Sequence, residues 1–105
     1  VKDLIRCPTC GGYVRPGVVW FGEPIPVEEL QLSWKAARNC QIFFSIGTSA
    51  LVYPAAAMPE VAQKAGALLV EINLQETPLS ANADFLLSGH AGQILPELVE
   101  TAWPG

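Results

Sequence analysis

Basic residues are scarce in this sequence. Six Lys and Arg stand against ten Asp and Glu, with a single histidine, for a net charge of −4 and a pI near 4.8. That balance argues against a nucleic-acid partner held by its phosphates. No apolar run is long enough to cross a bilayer, and the first residues lack the basic, apolar, small-residue order of a signal sequence, so no membrane partner is expected. No segment repeats, and none is of low complexity. The G-x-G-x-x-G fingerprint of dinucleotide sites is missing. Cysteine is limited to three residues, two of them three apart. Such spacing suits a metal clip in a reducing, cytoplasmic setting better than a disulfide framework. Half of the 105 residues are apolar, enough for one small folded domain with a modest core. The chain starts at Val1 and runs almost at once into Cys-x-x-Cys, as the C-terminal part of a longer protein would.

The stretch Ile42 to Pro54 organises the rest. Ile42 to Ile46 forms a near-continuous apolar run, which predicts a central parallel strand buried on both faces. Gly47, Thr48 and Ser49 then break it, and Pro54 is suited to open a helix. Strand, Gly-hydroxyl loop and helix is how doubly wound folds build a nucleotide site. An ordinary strand-to-helix turn has the same outline, and both readings stand on these residues.

Cys7-Pro8-Thr9-Cys10-Gly11-Gly12 reads as a zinc knuckle, with glycines turning the chain so that backbone amides face the sulfurs. Unligated thiols or a redox pair are the alternatives. Zinc takes four ligands, and Cys40 and His90 are the other candidates. Cys40 is better read as a small buried residue. Val18 to Phe21 favours a strand, with Gly22 leaving room for an added peptide strand; a plain core strand is the other reading. Pro26, Glu28 and Glu29 open a helix whose buried face runs Val27, Leu30, Trp34 and Ala37, with Asn39 as its stop. A second helix is expected over Ala55 to Ala65, bent or delayed by Pro59 and stopped by Gly66. Leu68 to Ile72 and Ala83 to Leu87 read as strands. Ser88 to Gly92 is a loop, and Ile94, Leu95, Leu98, Val99 and Ala102 mark a last helix. The alternation predicts an α/β fold with a parallel sheet and right-handed crossovers, about half of a dinucleotide-binding fold.

Five ordered motifs now stand together: C-P-T-C-G-G; R-P before V-V-W-F-G-E; G-T-S-A-L-V-Y-P-A-A; E-I-N; and G-H-A-G-Q. In this combination the chain resembles the C-terminal half of a sirtuin, and V-V-W-F-G-E is most similar to the bacterial, desuccinylase-type branch. The resemblance implies an NAD-dependent protein-lysine deacylase with a Rossmann-like domain. Residues 1–17 would be part of a zinc-binding module, and residues 18–105 the C-terminal half of the NAD-binding domain. Cys7 and Cys10 match one of two zinc pairs. Val19, Phe21, Gly22 and Glu23 match the segment that lies along the acyl-lysine peptide, and Ala50 to Tyr53 the strand on its other side. Gly47, Thr48 and Ser49 match the loop for the nicotinamide ribose and phosphates. Asn73, Leu74 and Gln75 match the segment that meets the adenosine ribose, and Ala91 the residue at the adenine. All three loops are expected to converge on one crevice.

The family reaction transfers the acyl group from lysine to NAD-derived ribose, releasing nicotinamide and O-acyl-ADP-ribose. The family's catalytic histidine and Gly-Ala-Gly loop would precede Val1 in a missing N-terminal half of the same domain. His90 matches the adenine loop, so no catalytic residue is assigned and the chain alone is expected to be inactive. A non-catalytic nucleotide-binding half-domain and a zinc-ribbon interaction module are the competing readings.

Overall fold

Pro26 opens the first regular element of the computed structural model, which describes residues 3–105. Helix α1 spans Val27–Asn39. Glu28 and Glu29 sit in its first turn and Arg38 in its last, matching the helix dipole at both ends. Of its expected apolar face, Ala37 is buried, Leu30 and Trp34 are half-buried, and Val27 is exposed.

Strand β1 spans Ile42–Ile46, helix α2 Met58–Lys64, β2 Leu68–Asn73, β3 Phe85–Ser88 and helix α3 Ala91–Ala102. The three strands form one parallel sheet in the order β1-β2-β3, with Phe44 beside Val70 and Val70 beside Phe85. The predicted α/β alternation and parallel pairing are therefore observed.

β2, not β1, is the central strand. Leu69, Val70, Glu71 and Ile72 are all buried, so β2 is covered on both faces. β1 lies at the edge, and Ile42, Phe44 and Ile46 are 48%, 46% and 37% exposed. The expectation that β1 is buried on both faces fails here because the face carrying Ile42, Phe44 and Ile46 stays open, while Phe43 and Ser45 on the other face are half-buried and buried.

The second helix is delayed, as Pro59 predicts. A 3₁₀ turn covers Ala55–Ala57, and α2 begins at Met58 with Pro59 in its first turn, where a missing N–H costs nothing. Gly66, at φ +104°, ends it. Ala67 N donates to Ala62 O at 3.0 Å and Gly66 N to Gln63 O at 3.0 Å, the paired bonds of a Schellman stop. β3 starts two residues later than expected because Asp84 replaces the ladder with its side chain. Its carboxyl accepts Leu69 N at 2.8 Å, while Asp84 N donates to Leu69 O at 2.9 Å.

Beside the buried Leu69, Val70 and Ile72 of β2, a second part of the core is built from small residues. Ala37, Ala62 and Ala67 form a buried cluster against which Cys40, Phe43 and Met58 pack. Cys40 is thus half-buried against the core, and its thiol donates to Ala37 O at 3.3 Å. Among the described residues, no helix is long and apolar enough to cross a membrane.

The stretch before α1 is irregular. Val18 to Phe21 forms no strand, and neither does Ala50 to Tyr53. Strand propensity expresses itself only against a partner, and neither segment is paired.

Candidate nucleotide-binding cleft

Two loops at the carboxyl ends of β1 and β2 enclose a cleft of about 430 Å³. One wall is Gly47, Thr48, Ser49 and Leu51, and the other runs from Asn73 to Pro78. The sharp exit from β1 depends on Gly47, at φ +64°, whose amide donates to Ile72 O at 2.9 Å. A Cβ there would meet no atom within 4 Å, so the glycine answers to backbone geometry and the open space stays available to a ligand. Thr48 Oγ1 accepts Ala50 N at 3.2 Å. Ala50 itself sits at φ +56°, a left-handed conformation that a non-glycine residue holds only at a cost. The Ser49 hydroxyl makes no hydrogen bond among the described residues and is exposed.

Asn73 ties the loops together. Its Nδ2 donates to Thr48 O at 2.7 Å, and its Oδ1 accepts Leu74 N at 2.9 Å. Its backbone carbonyl accepts Gly89 N, at 3.0 Å, from the third loop. One residue thus reaches all three loops that follow the strands. Ala91, however, does not line the cleft. It opens α3, so two loops converge there rather than three.

Sequence reasoning gave no role to Glu71, the first residue of E-I-N. It is fully buried on β2, and its carboxyl accepts hydrogen bonds from the hydroxyls of Thr77 and Ser80. The signal was in the sequence: an acid inside the apolar run L-L-V-E-I.

The second candidate surface is the segment Val18 to Glu23. Its apolar side chains point into solvent, with Phe21 91% exposed. Arg15 braces it. Nη1 and Nη2 reach the two Glu23 carboxylate oxygens at 2.5 and 2.9 Å, and Nη2 also reaches Val18 O at 3.2 Å. The Arg15 fork holds the Glu23 carboxyl below the usual carboxylate range. Gly22, at φ +86°, allows the turn that returns Glu23 N to Trp20 O at 3.0 Å.

Cys7 and Cys10 lie on one tight turn. Gly11 N donates to Cys7 O at 2.9 Å, and Cys7 N to Gly12 O at 2.8 Å. The backbone amides of Cys10, and after it Thr9, donate toward the Cys7 sulfur and hold its thiol below the ordinary thiol range. Arg6 closes the knuckle, stacked 4.2 Å from the Tyr13 ring centre. Among the described residues no third Cys, His, Asp or Glu joins these thiols, and His90 stands apart as the exposed N-cap of α3.

Comparison with known proteins gives the same picture from another side. The profile of the Sir2 family matches residues 1–54. A Pyrococcus abyssi NAD-dependent protein deacylase is 46% identical over 98 residues, covering 93% of this chain and 39% of its own length. Pseudomonas aeruginosa NAD-dependent protein deacylase 1 is 47% identical over 100 residues, covering 95% and 40%. Among solved structures, a Sir2 homolog–NAD complex superposes with a TM-score of 0.85 at 41% identity, covering 95% of this chain and 39% of that one. A Sir2 protein bound to a myristoylated histone peptide does so at 0.82 and 42% identity, covering 92% and 42%. The chain spans about two fifths of the length of the relatives it matches. The parallel sheet is the corresponding part of the Sir2 Rossmann-like fold, and the chain belongs to the Sir2 family.

Proposed function

We propose that the protein carrying this chain is an NAD-dependent protein-lysine deacylase, and that this chain supplies one side of its NAD site and part of its peptide surface. The observation that carries the reading is the cleft between Gly47–Ser49 and Asn73–Pro78, at the carboxyl ends of parallel strands. Its composition fits a nucleotide. A glycine lets backbone approach, two hydroxyls stand beside it, and the Ser49 hydroxyl makes no hydrogen bond among the described residues. In this reading Gly47, Thr48 and Ser49 hold the ribose and phosphate part of NAD. Leu74 and Gln75 meet the adenosine ribose, with Asn73 setting the spacing between the loops. Ala91 at the start of α3 meets the adenine from outside the cleft.

Val19, Phe21, Gly22 and Glu23 would receive the acyl-lysine peptide. Their irregular backbone and solvent-facing apolar side chains suit the addition of a strand. Cys7 and Cys10 would hold a structural zinc ion, the chemistry being two thiolates on one turn with amides facing a sulfur. They make half of a four-ligand site.

The test is a paired titration of the protein that carries this chain, with NAD and with an acyl-lysine peptide, followed by assay of nicotinamide release. Binding of both with release supports the reading. NAD binding without release would favour a non-catalytic nucleotide-binding unit, and no NAD binding would overturn it.

A further inference from the structure

Among the described residues Glu71 is the one acidic side chain that is fully buried, at 0% exposure, and it lies between Val70 and Ile72 on the central strand. An isoleucine or leucine there would fill the core without the cost of desolvating a carboxyl. The carboxyl is instead fully engaged by the loop that follows β2. Thr77 Oγ1 donates to Oε2 and Ser80 Oγ donates to Oε1. Both hydroxyl oxygens also accept backbone amides: Ser80 Oγ takes Thr77 N at 2.8 Å, and Thr77 Oγ1 takes Leu79 N at 3.1 Å. Glu71 therefore grips the two hydroxyls that close the loop's own turn.

That loop forms a wall of the cleft from Asn73 to Pro78. It is tied down at two places. At its start, Asn73 bonds Thr48 O across the cleft; at its far end, the Thr77 and Ser80 hydroxyls bond Glu71 beneath it. Between these ties Leu74, Gln75 and Glu76 are exposed. We propose that Glu71 is a positioning residue for the nucleotide: through Thr77 and Ser80 it sets the distance of the second cleft wall from the first, and so the affinity for the nucleotide, without touching it. This rests on the reading of the cleft as a nucleotide site.

The test uses the protein that carries this chain, with NAD and ADP-ribose as the probes. Glu71→Leu keeps the volume and removes both acceptors. NAD affinity should fall roughly tenfold as the wall loses its register, with acyl-peptide affinity unchanged. Glu71→Gln retains one acceptor oxygen and should recover part of the loss. Adding Thr77→Val and Ser80→Ala to Glu71→Leu should cost little more, because the three side chains act as one unit. Should Glu71→Leu fail to fold, Ser80→Ala and Thr77→Val alone, each removing one tie, should still weaken NAD several-fold. Folded variants that bind NAD as the parent does, or that lose NAD and peptide equally, would overturn the proposal while leaving the NAD site intact. A parent that binds neither NAD nor ADP-ribose would instead overturn the reading of the cleft, and this proposal with it.

Discussion

At the scale of single residues, charge and hydrogen bonding give this chain two titrating markers. Cys7 receives amides on its sulfur, first from Cys10, and so holds more thiolate at a given pH than an ordinary thiol. In metal-free protein, alkylation of Cys7 should begin at lower pH than that of cysteine in an unstructured peptide. Mass spectrometry across a pH series checks this, and equal onset would show that the amides do not reach the sulfur in solution. Glu23 is the acidic counterpart. Its folded-state carboxyl lies below the usual range because of Arg15, so the fork is intact at neutral pH and is lost as pH falls through that lowered value. Carbon NMR of Glu23 should show titration below the ordinary range in the parent and a return toward it in Arg15→Ala. Arg15→Ala should also weaken acyl-peptide binding more than NAD binding, since the fork braces only Val18 to Glu23.

At the scale of elements, the turn from β1 decides the site. Gly47 and Ala50 both hold positive φ, so Gly47-Thr48-Ser49-Ala50 is a bent cradle rather than a relaxed connection. Gly47→Val puts a β-branched residue at φ +64°, a strain of about 1–2 kcal/mol, and places its methyl groups in the open cleft. Chemical denaturation should register the first effect and NAD titration the second. Ser49→Ala should leave stability within about 0.5 kcal/mol, as expected for an exposed site, because its hydroxyl bonds nothing among the described residues. Its NAD affinity should drop about tenfold, the order of one buried hydrogen bond to a charged or polar ligand. Loss of peptide binding with NAD binding intact, in either variant, would assign this loop to the peptide instead.

At the scale of the whole molecule, the chain exposes far more surface than a closed monomer does. Its accessible area is 8172 Å² for 11.2 kDa, where a compact monomer of that mass shows about 5,700 Å². Its radius of gyration is 17.8 Å, against about 13 Å for a compact chain of this length. The difference falls on apolar ground: the Ile42, Phe44 and Ile46 face at the sheet edge, Phe85, and Val18 to Phe21. An open parallel edge and an uncovered apolar face favour association. The isolated 105-residue chain should therefore self-associate or lose fixed packing. Sedimentation velocity with near-ultraviolet circular dichroism would show it, and a monomer with a cooperative melt would refute it.

Local patterning in the sequence determined the elements. The apolar runs placed β1 and β2, Pro26 and Gly66 placed helix ends, and the glycine, threonine and serine after β1 marked the cleft. These are short-range matters of φ, capping and periodicity, decided within a few residues. Tertiary structure alone decided the rest. Which strand is central depends on what pairs with it, so the apolar run of β1 could not reveal that β2 holds the middle. Val18 to Phe21 carries strand propensity yet stays irregular, because a strand is a relation between two segments. The late start of β3 follows from Asp84 meeting Leu69, and the hold of Glu71 on the cleft wall from its meeting Thr77 and Ser80. Such side-chain contacts exist only once the chain has closed on itself, which is why no spacing rule announced them.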